Sequence, residues 1–122
     1  MLHTDLEVFK LSLLMVKNVY DYTGCFPREE LYGLTSQMRR AAVSIPSNMA
    51  EGSGRSSSRE LHRFLDISLG SLSELDTQMM ISDMLGYNKS PLLYDDIRNQ
   101  LKRARQMTLN LIKSISRQSH NA

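Results

Sequence analysis

RRAAVSIPSNMAEGSGR, residues 39–55, places a proline inside a stretch whose composition is otherwise helical. Pro46 has no backbone N–H to donate, and its ring crowds the carbonyl four residues back, that of Ala42. The segment is therefore a loop that carries chemistry, a helix that runs on through a kink, or two helices meeting end to end. Apolar spacing favours the second. Leu31, Leu34, Met38, Ala41, Ile45 and Met49 recur at intervals of three and four, and the rhythm passes Pro46 without changing phase. The competing division ends one helix near Ile45 and opens another with Asn48 as its cap and Glu51 three residues on. Small Ala41 and Ala42 leave room beside the disturbed turn. Ser44, Ser47 and Asn48 offer it short hydrogen-bonding groups.

Working outward, FPREE (residues 26–30) opens this helix. Pro27 suits a first helical position, and Glu29 and Glu30 favour the positive end of the helix dipole. EGSGRSSS (51–58) closes it as a linker of small and polar residues. Upstream, Thr4 and Glu7 have the spacing of a capping box. Leu6, Phe9, Leu13, Val16, Tyr20 and Thr23 then form one helical face, with a second apolar row of Val8, Met15, Val19 and Tyr22 beside it. Two rows exceed what one packed face uses. Gly24 is placed to end this helix in a left-handed conformation. Downstream, Ser57 and Glu60 form another capping box ahead of Leu61, Leu65, Ser68, Leu72, Leu75, Met79 and Ser82, and Gly86 ends that helix. Ser90 caps a last helix with Pro91 just inside, whose inner row is Leu93, Ile97, Leu101, Ala104, Thr108, Leu111 and Ile115. No segment alternates with the period of two that a half-buried strand needs. The pattern predicts an all-α fold: an antiparallel up-down-up-down four-helix bundle in one domain over residues 1–122. Its helices fall at about 5–23, 27–52, 58–85 and 91–117, the second kinked at Pro46.

A single cysteine, Cys25, leaves no internal disulfide, and the N-terminus MLHTDLEVFK lacks the basic start and apolar run of a signal peptide. No apolar run is long enough to cross a bilayer. A reduced cytoplasmic location, without a membrane, is the expectation. The formal charge of +2 hides an uneven distribution. Residues 57–87 hold two basic and five acidic side chains, whereas residues 88–122 hold seven basic and two acidic. A basic C-terminal segment either meets phosphate or is a solvated helix face.

The residues argue against catalysis. His3, His62 and His120 lack ligand spacing, so no metal is expected, nor any cofactor. Cys25 has no histidine close in sequence to activate it. Ser56, Ser57 and Ser58 read as linker and cap residues. EGSGRSSS lacks the Lys-Ser/Thr ending of a P-loop and follows no strand. Glu51 and Glu74 are expected to bond arginines such as Arg39 or Arg40 at helix contacts. The arginines and lysines are the candidates for function. Arg55, Arg59 and Arg63 gather around the linker, and Lys102, Arg103, Arg105, Lys113 and Arg117 follow along the last helix. Guanidinium groups suit phosphate because their planar fork makes paired hydrogen bonds. Aromatic residues are not interleaved with these charges, so base stacking is not evident. Arg39 and Arg40 are read as subunit contacts. Two classes stay open: an oligomeric protein that contacts RNA or DNA, and a scaffold for a protein partner.

FPREELYGLTSQMRRAAVSIPSNMAEGSGR followed by FLDISLGSLSELDTQM resembles the four-helix bundle proteins encoded within intervening sequences of bacterial 23S ribosomal RNA. The resemblance runs from the first helix into the fourth. It rests on Phe26-Pro27, Gly33-Leu34, Gln37, Arg39-Arg40, Ser44-Ile45-Pro46, Asn48, Ala50-Glu51-Gly52, Gly70-Ser71 and Glu74-Leu75. Met49 stands where an isoleucine is usual, a tolerable apolar exchange. The resemblance implies the bundle fold and a ring-like homo-oligomer, a pentamer. It also implies kinship with the accessory protein of diversity-generating retroelements, which partners a reverse transcriptase and nucleic acid.

Overall fold

Four helices follow one another: α1 (Glu7–Thr23), α2 (Ser36–Ser53), α3 (Ser58–Met84) and α4 (Pro91–Asn121). The computed structural model describes residues 3 and 6–121, with side chains as far as residue 117. The Thr4 half of the expected capping box lies outside the described residues. Cross-helix pairs fix the directions, because they ascend one helix as they descend the next. Ser12 and Thr23 of α1 meet Met49 and Arg39 of α2. Ser44 and Ile45 of α2 meet Ser71 and Ser68 of α3. Asp76 and Ser73 of α3 meet Arg98 and Arg105 of α4. The Asn18–Gln100 bond then returns α4 to α1 and closes the bundle. Every neighbouring pair is antiparallel, and the described residues contain no strand.

The core runs through the predicted rows of α2, α3 and α4. Met38, Ala41, Ile45 and Met49 pack with Leu65, Leu72, Leu75 and Met79, and with Ile97, Leu101, Ala104 and Ile115. Leu31 departs from its row and is exposed. In α1 the second row is the more deeply buried. Val8, Met15, Val19 and Tyr22 are buried, together with Ser12, while Leu13 and Tyr20 of the other row stand exposed. Leu6, Phe9 and Val16 of that other row are partly buried against the core and Thr23 is buried, so the row is open at Leu13 and Tyr20. Tyr22 shares a 2.7 Å hydrogen bond with Ser82 beneath the core, and burial pushes its hydroxyl pKa up.

Helix α2 runs unbroken from Ser36 to Ser53 through Pro46, so the continuous reading holds and the division at Asn48 does not. Polar groups gather on the disturbed turn. Asn48 donates to the Ser44 carbonyl at 2.8 Å, and Ser68 of α3 donates to the Ile45 carbonyl at 3.0 Å. Ser47 is exposed. At the far end of α2, a Cβ on Gly52 would lie 2.8 Å from the Phe64 Cβ and 3.1 Å from Leu61 Cδ1. Only glycine lets α3 approach that closely.

Three helix ends differ from expectation. Gly24 is right-handed, at φ −62°, and does not form a left-handed cap. The last carbonyls of α1 find other donors: Tyr20 accepts from Arg39, Asp21 from the Gly24 amide and Thr23 from the Phe26 amide. FPREE does not open α2 directly. A 3₁₀ turn (Arg28–Glu30) and a π-turn (Leu31–Thr35) intervene, with Gly33 non-helical at φ −112°, ψ −114°. Glu30 holds this break. One carboxylate oxygen accepts from the Leu34 amide at 3.2 Å and the other from the Tyr87 hydroxyl at 3.0 Å. That second bond pushes the Tyr87 pKa up. The Ser57 hydroxyl caps α3 through the Glu60 amide at 3.1 Å, but the Glu60 carboxylate turns to Arg63 and leaves the box half made. Gly86, at φ +81°, ends α3 as predicted, with Tyr87 and Gly86 amides donating back to Ser82 and Asp83.

Candidate nucleic-acid interface

Helix geometry sorts the basic residues into groups with different company. Arg55 pairs with Glu51 four residues earlier, and Arg63 pairs with Glu60 at 3.1 Å. Both guanidinium groups also lie over the Phe64 ring, at 5.3 and 4.6 Å from its centre. Arg59 is exposed between them. The linker cluster is thus partly neutralised by local carboxylates. On α4 the side chains of Lys102, Arg103, Arg105, Lys113 and Arg117 are all exposed, and among the described residues none of them forms an ion pair. This helix face presents open positive charge.

Position on the helix divides that face further. Arg98 and Arg105 reach across to α3, so their side of α4 borders α3. Gln100 bonds Asn18, so its side borders α1. Residues three and four apart share a face. Lys102 therefore belongs with Arg98 and Arg105, whereas Arg103, three beyond Gln100, leans toward α1. Lys113 and Arg117 continue along the outer face near the start of α3. The antiparallel register brings Arg59 and Arg63 to that same end of the bundle.

Between α3 and α4 lies an open groove of about 690 Å³, lined by Ser73, Asp76 and Thr77 on one side and by Arg98, Lys102 and Arg105 on the other. Arg98 holds Asp76 through two bonds, 2.9 and 3.3 Å long, and this partner pushes the guanidinium pKa further up. Arg105 donates to the Ser73 hydroxyl at 3.3 Å. Ser73 and Thr77 escaped the sequence reading. Nothing in the pattern marks them beyond their place on the outer face of α3.

Several of the residues singled out as a structural motif make contacts within the chain. Arg39 donates to Thr23 at 2.9 Å and lies 4.5 Å from the centre of the Tyr20 ring, tying α2 to the last turn of α1. Ser44, bonded to Ser71, and Gly52, against Leu61 and Phe64, join α2 to α3, while Asn48 bonds Ser44 within α2. The expected partnership of Glu51 and Glu74 with Arg39 or Arg40 is not found. Glu51 pairs with Arg55, one turn away on its own helix, and Glu74 accepts from Gln78. Arg40 is exposed beside a mainly apolar groove of about 480 Å³ that includes Tyr20, Leu31, Tyr32 and Val43. Tyr32 is 92% exposed there, and Leu13 and Leu14 are each 50% exposed on α1. Among the described residues, no three His, Cys, Asp or Glu side chains are placed to share a metal ion, and no helix is long and apolar enough to cross a membrane.

Such an arrangement defines a class: an antiparallel helical bundle with an open basic face on α4 and an uncovered apolar face on α1. Over residues 4–111 the sequence matches the 23S rRNA-intervening sequence protein family, and the chain belongs to that family. A comparison with curated proteins finds no match.

Proposed function

We propose that the protein is a non-enzymatic, cytoplasmic homo-oligomer that associates with nucleic acid through the basic face of α4. The observation that carries this reading is the row of exposed lysine and arginine side chains on α4, unpaired among the described residues. A charge left open in this way releases counterions when it meets phosphate, which favours sequence-tolerant binding. Arg59, and the outward edges of Arg55 and Arg63, extend the same surface. The oligomer follows from the apolar side chains of α1 that the bundle leaves uncovered, since a large exposed apolar patch marks an interface. Five subunits is the number the family resemblance implies. A ring repeats the basic face on every subunit, so weak contacts to one polymer reinforce one another.

The acidic balance of residues 57–87 works against this if α3 faces the polymer. Charge reversal separates the cases. Lys102, Arg103 and Arg105 changed together to Glu are expected to abolish retention of labelled RNA or DNA in a gel while the mass in solution stays that of the wild type. Retention unchanged by the triple reversal moves the contact off α4, and a wild type that retains neither RNA nor DNA even at low salt points instead to a scaffold for a protein partner such as a reverse transcriptase. The exposed Tyr32 and its apolar groove suit that second reading.

A further inference from the structure

The charges on α4 do not contribute equally, because only some of them border a concave surface. In the α3–α4 groove, Asp76 is the one carboxylate at the centre, and both of its oxygens are occupied by Arg98. Its repulsion toward an incoming anion is largely cancelled. The charge left over belongs to Lys102 and Arg105. Arg105 uses one guanidinium nitrogen on Ser73, a long bond of 3.3 Å, which lays the group across the groove with its other donors open. Ser73 accepts in that bond and keeps its own hydroxyl proton to donate. Thr77 is different, because its hydroxyl is spent on the Ser73 carbonyl at 2.9 Å. Three donors of suitable kind therefore line one groove from two helices: an ammonium, a guanidinium and a hydroxyl.

The shape around them suits a chain. The groove is open along its length, at about 690 Å³, and among the residues that line it none is aromatic. It has nothing on which to stack a base, so it reads backbone rather than sequence. Asp95 lines one end, toward the start of α4, and disfavours phosphate there. In the other direction the positive charge continues to Lys113 and Arg117. Lys113 lies eleven residues beyond Lys102, about 16 Å along the helix, which spans several phosphates.

We propose that the α3–α4 groove is a phosphodiester seat: Lys102 and Arg105 grip one backbone phosphate between them, with the Ser73 hydroxyl as third donor. The strand then leaves along α4 over Lys113 and Arg117, and Arg103, on the α1 side, lies outside the seat. This rests on the proposal that the protein binds nucleic acid, and it assigns that binding to one place.

The experiment is fluorescence anisotropy of the full chain with labelled oligouridine and oligothymidine at low salt. The variant pair is Lys102→Glu with Arg105→Glu, against Arg28→Glu with Lys89→Glu. The second pair changes the net charge equally at exposed positions away from the groove. The seat predicts a loss of at least about tenfold for the first pair, with the salt slope reduced by roughly one to two contacts, and a loss under about threefold for the second. Ser73→Ala weakens binding by a fewfold, and Lys102→Gln with Arg105→Gln reproduces the main loss if the reversed pair fails to fold. Equal losses from the two reversed pairs show that binding follows net charge and overturn the seat while leaving nucleic-acid binding intact. A wild type that binds neither oligomer overturns both.

Discussion

Replacing Leu75 with alanine is expected to cost the bundle about 2–5 kcal/mol, from lost transfer free energy plus the cavity that remains. Leu75 is fully buried on α3, whose contact with α2 is the most extensive between any two helices. Small domains are stable by only about 5–15 kcal/mol, so a loss of this size is a large part of the whole. The thermal midpoint should fall by roughly 8–20 °C. Leu92→Ala serves as the comparison. Leu92 is 82% exposed, and its truncation should stay within about 0.5 kcal/mol. Thermal unfolding of both variants at one protein concentration makes the comparison, the fixed concentration being needed because assembly stabilises by mass action. Equal shifts would mean that the core does not run through the α3 row.

The other large effect concerns assembly. Leu13→Glu with Leu14→Glu places two carboxylates on the uncovered face of α1, where each leucine is 50% exposed. A face that another copy covers cannot bury those charges unpaired. Light scattering should then report the 13.9 kDa monomer for the variant and a multiple of it for the wild type. The fold itself should survive, since neither side chain belongs to the core. A wild type already at monomer mass would refute the oligomer, and a variant that keeps its assembly would move the interface elsewhere.

Much of the fold was legible in the apolar rhythm. The rows of α2, α3 and α4 fall where spacing put them, because packed helices show their period directly in sequence. The continuity of α2 through Pro46 was legible for the same reason. The inner face of α1 was not, since two apolar rows look alike in sequence when one packs fully inside and the other is only partly covered. The helix ends were harder still. Gly24 forms no left-handed cap: the last carbonyls of α1 are served by the Gly24 and Phe26 amides and by Arg39, which arrives from another helix. The 3₁₀ and π turns before α2 depend on Glu30 meeting Tyr87, far away in the chain. For the candidate interface, sequence supplied the charges and structure sorted them. Glu51 and Glu60 claim Arg55 and Arg63, while Lys102 parts from its neighbour Arg103 across the helix. Ser73 became visible only once α3 and α4 were side by side.

Nucleic-acid binding by the α4 face is tested most directly by a salt titration of the unaltered protein with labelled RNA and DNA single strands. The logarithm of the affinity should fall linearly with the logarithm of the salt concentration, with a slope of roughly −0.7 for each phosphate contacted. The charges of Lys102, Arg105, Lys113 and Arg117, repeated on each subunit, predict a slope steeper than about −2. No binding at low salt, or binding that salt leaves unchanged, would contradict it.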